Sequence, residues 1–165
     1  MSARRRHSFA AGLLAVVAFT GVAQADERVL LVVVNKERPE KDIPTSALAR
    51  IYRGETKFWA NNDRIVPFLP PTSGDEGLRR SFLQTVLKMG MRDFQHLWQE
   101  RLFRGENSQA PLMLPDERAV AQAVFASRSC IGVIEADKVR SLETVVKVLT
   151  VDGKAPVDAG YPLKW

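Results

Sequence analysis

The residues best placed to do chemistry are Thr72, Ser73, Gly74, Gly77 and Arg79, in the stretch Thr72-Ser73-Gly74-Asp75-Glu76-Gly77-Leu78-Arg79-Arg80. They fall where a short apolar run closes on Pro70-Pro71 and a helical stripe begins. A helix start presents N–H groups without partners and the positive end of the helix dipole, so it can hold an anion. Gly74 and Gly77 let a ligand come close to the main chain. Thr72 and Ser73 offer hydroxyls, and Arg79 with Arg80 adds positive charge nearby. Asp75 and Glu76 work the other way, because they put negative charge on the turn where an anion would sit. The same letters also spell a capping box, Ser73-x-x-Glu76, in which Ser73 caps the helix and Glu76 reaches back to the Ser73 N–H. Acids in the first turn complement the dipole without any ligand. An anion site and a self-capped helix are therefore both open readings of this junction.

Nothing else in the chain assembles into a reaction centre. His7 falls in the N-terminal segment, which leaves His96, between Gln95 and Leu97, as the one histidine of the remainder. One histidine without a cysteine partner is not a metal site, and no Ser/His/Asp arrangement can be assigned from it. The acids are scattered, with no carboxylate pair set apart for proton transfer. Cys130 sits in the apolar run Cys130-Ile131-Gly132-Val133-Ile134 and reads as a buried thiol; a single cysteine makes no intramolecular disulfide. Trp59 and Trp98 read as core. Gly54, Gly90 and Gly105 read as helix stops. No catalytic residue, no metal and no cofactor is expected.

The elements that must hold the junction follow from hydrophobic pattern. Val29 to Val34 is a continuous β-branched and leucine run, which suits a strand covered on both faces, as in a parallel sheet. Pro39 to Pro44 reads as a polar connection. Thr45 is expected to cap a helix over about Ser46 to Arg53, with Leu48, Ile51 and Tyr52 on one face and Gly54 as its stop. Ile65 to Leu69 is a second strand. The helix after the junction carries Leu78, Phe82, Val86 and Leu87 as its buried stripe and is expected to end at Gly90. Another amphipathic helix runs from about Arg92 to Phe103, with Phe94, Leu97, Trp98, Arg101 and Leu102 in helical spacing. Gly105 to Pro115 reads as loop. Asp116 can cap a helix through about Ser127 with Ala119, Val120, Ala123 and Val124 on its apolar side. Ile131 to Ile134 and Val145 to Val151 are further strands. Strands and helices alternate, which argues for an α/β domain with a short, mostly parallel sheet flanked by helices.

The first residues read as an export signal. Arg4, Arg5 and Arg6 form a positive start, Phe9 to Phe19 is an apolar run, and Ala23-Gln24-Ala25 supplies the small residues of a cleavage site. The run is short of the roughly 20 residues that span a bilayer. Residues 1–25 are thus expected to be removed after Ala25, leaving residues 26–165 as one domain outside the cytoplasmic membrane, with no membrane span of its own. The chain has 24 Lys and Arg against 19 Asp and Glu. Three of the arginines lie in the leader and no acid does, so the remainder carries 21 against 19, a net of +2. The basic balance of the whole chain owes much to the segment that is removed, and a nucleic-acid partner is not expected.

Taken in order, these segments resemble the phosphate-type solute-binding proteins of ABC transporters, periplasmic proteins of two lobes around a hinge. Val33-Val34-Asn35 followed by Leu48-Ala49-Arg50-Ile51-Tyr52-Arg53-Gly54 looks like that family's "VVN … L..IF.G" stretch. Phe58-Trp59 with Arg64-Ile65-Val66-Pro67 looks like its "W..G..IVPV". Cys130 to Ile134 looks like its "GAIGYV", and Asp152-Gly153 and Tyr161-Pro162-Leu163 resemble its "V.G" and "YPL". The resemblance covers nearly all of residues 26–165 but about one lobe of the usual two. It implies a single three-layer periplasmic-binding-protein-like lobe, a small anion such as phosphate as ligand, and no catalysis. In the family an Arg before the loop and a Ser-Gly-Thr run on the helix start hold the phosphate. Here Thr72 falls at the Arg position, and Glu76, Gly77 and Leu78 stand where Ser-Gly-Thr is expected, so the glycine alone is kept. That departure leaves a second expectation, a ligand-free lobe that docks to a transporter or another envelope protein. A homo-oligomer also stays open.

Overall fold

The structure is a computed structural model that describes residues 27–73, 76–106, 109–139 and 145–165; the leader read in residues 1–25 lies outside them. Among the described residues five strands form one sheet in the order β2-β5-β1-β4-β3, with β1 Leu30–Asn35, β2 Asp42–Ile43, β3 Val66–Phe68, β4 Cys130–Glu135 and β5 Val146–Val151. β3 runs parallel to β4 and β2 parallel to β5. β1 lies in the middle, antiparallel to both neighbours, with Val32 opposite Val133 on one side and Leu149 on the other. Four of the five strands therefore point one way. β1 is covered on both faces as its composition requires, while its direction is opposite to the rest.

Helices α1 Thr45–Tyr52, α2 Glu76–Phe82 and α3 Met91–Phe103 cover one face, and α4 Glu117–Ala126 covers the other; α5 Ala136–Val139 is a short turn after β4. β1 shows how the three layers are held. Leu30, Val32 and Val34 join the core under α1, α2 and α3, while Leu31 and Val33 join the core under α4. All five are nearly or fully buried. Each such side chain contributes about 1.5–3 kcal/mol relative to an exposed position. Both buried tyrosine hydroxyls are matched: that of Tyr52 donates to the Phe68 carbonyl at 2.7 Å and that of Tyr161 to the Leu30 carbonyl at 3.1 Å. Burial pushes both phenols well above their ordinary value.

Several details depart from the pattern-based expectation. The connection before α1 contains β2, two residues paired with Thr150 and Val151. Thr45 is the first residue of α1 rather than its cap, and both its N–H and its hydroxyl donate to Asp152. α2 passes into a π-helical turn, Leu83–Leu87, and ends at Lys88, which takes the left-handed conformation at φ 57°. Arg53 donates to the Leu87 carbonyl at 2.6 Å and so satisfies an end group of that turn. Gly90 opens α3 instead of closing the helix before it. Gly54 does stop α1, at φ 73°, as its position suggests. No helix among the described residues is long and apolar enough to cross a membrane.

Candidate functional site

The junction expected to hold a ligand lies beyond the C-terminal end of β3. There the chain turns through Leu69, Pro70 and Pro71, all buried, into Thr72 and Ser73, both exposed. Gly74 and Asp75 lie outside the described residues. The chain resumes in α2 with Glu76 exposed, Gly77 half-buried and Arg79 buried at 9% exposure.

The loop is tied down from two sides. On one, residues 112–115 run beside the end of β3. The Leu112 N–H donates to the Pro67 carbonyl and the Leu69 N–H to the Leu112 carbonyl, each at 2.9 Å. The pairing continues into the loop, where the Thr72 N–H donates to the Leu114 carbonyl at 3.0 Å and the Ser73 N–H to the Pro115 carbonyl at 2.9 Å. The Thr72 hydroxyl adds longer bonds to the same two carbonyls. The Ser73 N–H, expected to meet Glu76 in a capping box, is thus taken by Pro115. On the other side, Arg79 reaches back from α2. Its Nε donates to the Pro70 carbonyl at 3.2 Å and its Nη2 to the Pro71 carbonyl at 2.8 Å.

Thr72, Ser73 and Arg79 are thereby gathered on one turn, with the guanidinium beneath it and the two hydroxyl-bearing residues on its surface. Arg79 is a buried cation whose acceptors here are neutral carbonyls, and among the described residues no carboxylate lies within ion-pair distance of it. Pattern reasoning named Arg79 but not its acceptors, and it missed Leu114 and Pro115. Those belong to a stretch read as plain loop, because a chain that pairs through its carbonyls leaves little mark in side-chain pattern.

The same edge of the sheet carries the end of β4. Glu135, 8% exposed, accepts from Arg28 Nε at 2.8 Å and Nη2 at 2.7 Å, beside a cavity of about 420 Å³ that Asp137 and Lys138 also line. The remaining candidates stay structural. Trp59 and Trp98 are in the core, Cys130 is buried, and His96 is exposed with Glu100 at 3.8 Å. Among the described residues no three His, Cys, Asp or Glu side chains are grouped to hold a metal ion.

In shape the chain is similar to solved structures that include the following three. One is an ABC-type phosphate transport receptor from Vibrio cholerae, at TM-score 0.63 and 18% identity, where 84% of this chain overlies 54% of that one. PstS from Borrelia burgdorferi overlies at TM-score 0.63 and 18% identity, with 84% of this chain on 55% of that one. A chain described as a phosphate ABC transporter substrate-binding protein, solved with bound phosphate, from Clostridium perfringens overlies at TM-score 0.59 and 17% identity, with 79% on 47%. At such identities the likeness shows the fold, one lobe of the solute-binding-protein kind, and this chain spans about half the length of each. No protein-family model and no curated protein sequence matches it.

Proposed function

We propose that the chain is a non-enzymatic binding lobe that works in the periplasm after removal of residues 1–25, and that it holds a small oxyanion, phosphate first among them, at the Thr72–Arg79 junction. The observation that carries the reading is Arg79. A charge buried away from water is costly unless an opposite charge or strong hydrogen bonds offset it. Two carbonyls offset part of that cost, and an anion seated on the turn, between the Thr72 and Ser73 hydroxyls, supplies the missing counter-charge. Gly77, in the first turn of α2, leaves room for close approach. The similarity in fold to phosphate-binding chains supports the choice of anion. A lone lobe gives an open site, whereas small ligands are usually held in clefts that bury most of their surface. The expected affinity is accordingly weak, high-micromolar to millimolar.

A second reading, a ligand-free lobe that docks to a transporter or envelope protein, is favoured by the hydrogen bonding of the loop itself. The N–H groups of Thr72 and Ser73 are already spent on Leu114 and Pro115, and Glu76 puts an exposed carboxylate on the first turn.

Thermal unfolding of residues 26–165 with phosphate, sulfate and other small anions at matched ionic strength separates the two. A ligand that binds only the folded state stabilises it by RT ln(1 + [L]/Kd), about 2.7 kcal/mol at a hundredfold excess. The expected result is an upward shift with phosphate that Thr72→Val reduces and Arg79→Met abolishes, each measured against its own baseline. No selective shift at about ten millimolar of any anion sinks the anion site and leaves the docking lobe.

A further inference from the structure

The opposite end of the sheet, where β3, β4 and β5 begin, is held by a different buried arginine. Arg38 is 2% exposed although it lies on the connection after β1. Its Nε and Nη2 donate to the two carboxylate oxygens of Glu40, the first at 2.8 Å. Its Nη1 lies 3.5 Å from Asp63 in the turn before β3 and 3.4 Å from the Arg128 carbonyl in the connection before β4. Its guanidinium carbon stands 4.2 Å from the centroid of Trp59, whose indole N–H donates to the Ser129 carbonyl at 3.1 Å. Lys147, at the start of β5, donates to the carbonyls of Arg38 and Glu40. Outside this cluster, Arg128 pairs with Glu37 and Asn61 donates to Asp63. The Arg38 side chain thus joins the entries to β3 and β4, and its main-chain carbonyl receives Lys147 from the entry to β5.

We propose that Arg38 is an acid-releasable latch: protonation of Glu40 frees the connections 36–41 and 57–64 from the sheet while the strands and the Thr72–Arg79 edge stay folded. Asp63 does not replace Glu40, because it is 41% exposed and meets the guanidinium with one oxygen, 3.5 Å from Nη1. Glu40 meets the guanidinium with both oxygens, and losing that charge leaves a desolvated cation without its main partner, which is strongly destabilising. Beside Arg38, the first segment is tied by Lys147, by the Glu37–Arg128 pair and by the Lys41 carbonyl accepting from Thr150, and the second by the Trp59 indole to Ser129 and by bonds within its own turn. Both are connections outside the main strands, and such segments open at lower free energy than the strands they join. The hydrogen bond from Arg38 is the main reason the Glu40 carboxyl sits below its ordinary value of 4.5. A carboxylate so depressed stabilises the closed latch fully above about pH 4.5, and that contribution is lost as the pH falls through the folded-state value.

The test is an amide-and-indole NMR titration of residues 26–165 from pH 7 to pH 3, with the three tryptophan indoles assigned by single Trp→Phe variants. The latch predicts that the Trp59 indole and the amides of 36–41 and 57–64 change together below pH 4.5, while the amides of β1 and β4 keep their native positions. Glu40→Gln, which mimics the protonated acid, is expected to show the low-pH Trp59 signal already at pH 7 and to lose the local transition. Simultaneous loss of the Trp59 and strand signals in the wild type would overturn the latch, and that outcome is readable even if Glu40→Gln does not fold. A Glu40→Gln titration identical to wild type would overturn it as well.

Discussion

The carboxylate of Asp152 receives both the main-chain N–H of Thr45, at 2.8 Å, and its hydroxyl, at 2.6 Å, from 107 residues further along the chain. This contact caps α1. Pro44 stands at the N-cap position with no side-chain bond to offer, so the cap that a local Ser, Thr or Asp would provide comes instead from the turn after β5. Asp152 is itself in the left-handed region at φ 52°, which asparagine tolerates and alanine does not favour. Asp152→Ala is expected to cost about 1–2 kcal/mol in urea unfolding, and Asp152→Asn, which keeps an acceptor, less than half of that. Equal losses for the two variants would show that the bond to Thr45 does not stabilise α1.

That cap also shows where sequence reading stops. What depends on neighbours in the chain was legible. The unbroken apolar run of β1 marks a strand covered on both faces, Gly54 marks the end of α1, and Asp116 marks the start of α4, where its carboxylate accepts the Ala119 N–H at 2.8 Å. What depends on distant chain was not. β2 is two residues long and exists through its pairing with β5. The end of α2 is set by a π-helical turn and by Arg53 rather than by the glycine two residues on from Lys88. At the candidate site, residue types suggested that Thr72, Ser73 and Arg79 belong together. That the loop N–H groups are taken by Leu114 and Pro115 is visible only once residues 112–115 lie beside β3.

α3 illustrates a related limit, since periodicity tells which residues share a face and not whether that face is covered. Phe94 and Trp98 are buried, yet Leu102, one turn on from Trp98, is 76% exposed and Phe103 is 87% exposed. Leu102→Gln with Phe103→Gln is therefore expected to change stability by less than about 0.5 kcal/mol, as for surface positions generally. Trp98→Ala is expected to cost about 3–5 kcal/mol, as for a truncated core aromatic. A cost above about 2 kcal/mol for the double glutamine variant would mean that this end of α3 is covered in solution.

Cys130 should be silent while the protein is folded. Its side chain is buried, and burial raises the thiol above its ordinary value, with a hydrogen bond to Ser127 pulling the other way. The reacting species is the thiolate, so both access and ionisation are withheld. Labelling with a disulfide reagent at neutral pH is expected to follow the fraction unfolded, slow in buffer and complete in urea. Fast stoichiometric labelling in buffer would show that β4 opens locally.

The contact between β4 and α4 depends on a missing methyl group. Gly132 faces α4, and a Cβ placed there would stand 2.5 Å from Val120 Cγ1, 3.4 Å from Val33 Cγ2 and 3.5 Å from Val124 Cγ2. Val120 and Val124 are fully buried, as is Val33 opposite Gly132 on β1, so none of them can swing into solvent. Gly132→Ala must push α4 off the sheet or force a rotamer, at about 1–3 kcal/mol. Val120→Ala alone leaves a cavity and is expected to cost about 1–2 kcal/mol. In the double variant the added methyl occupies space the valine vacates, so the two costs should not add. A coupling of at least about 1 kcal/mol in favour of the double variant is expected from a four-corner cycle of urea unfolding. Additive costs would place the strain of Gly132→Ala in the β4 backbone rather than against Val120.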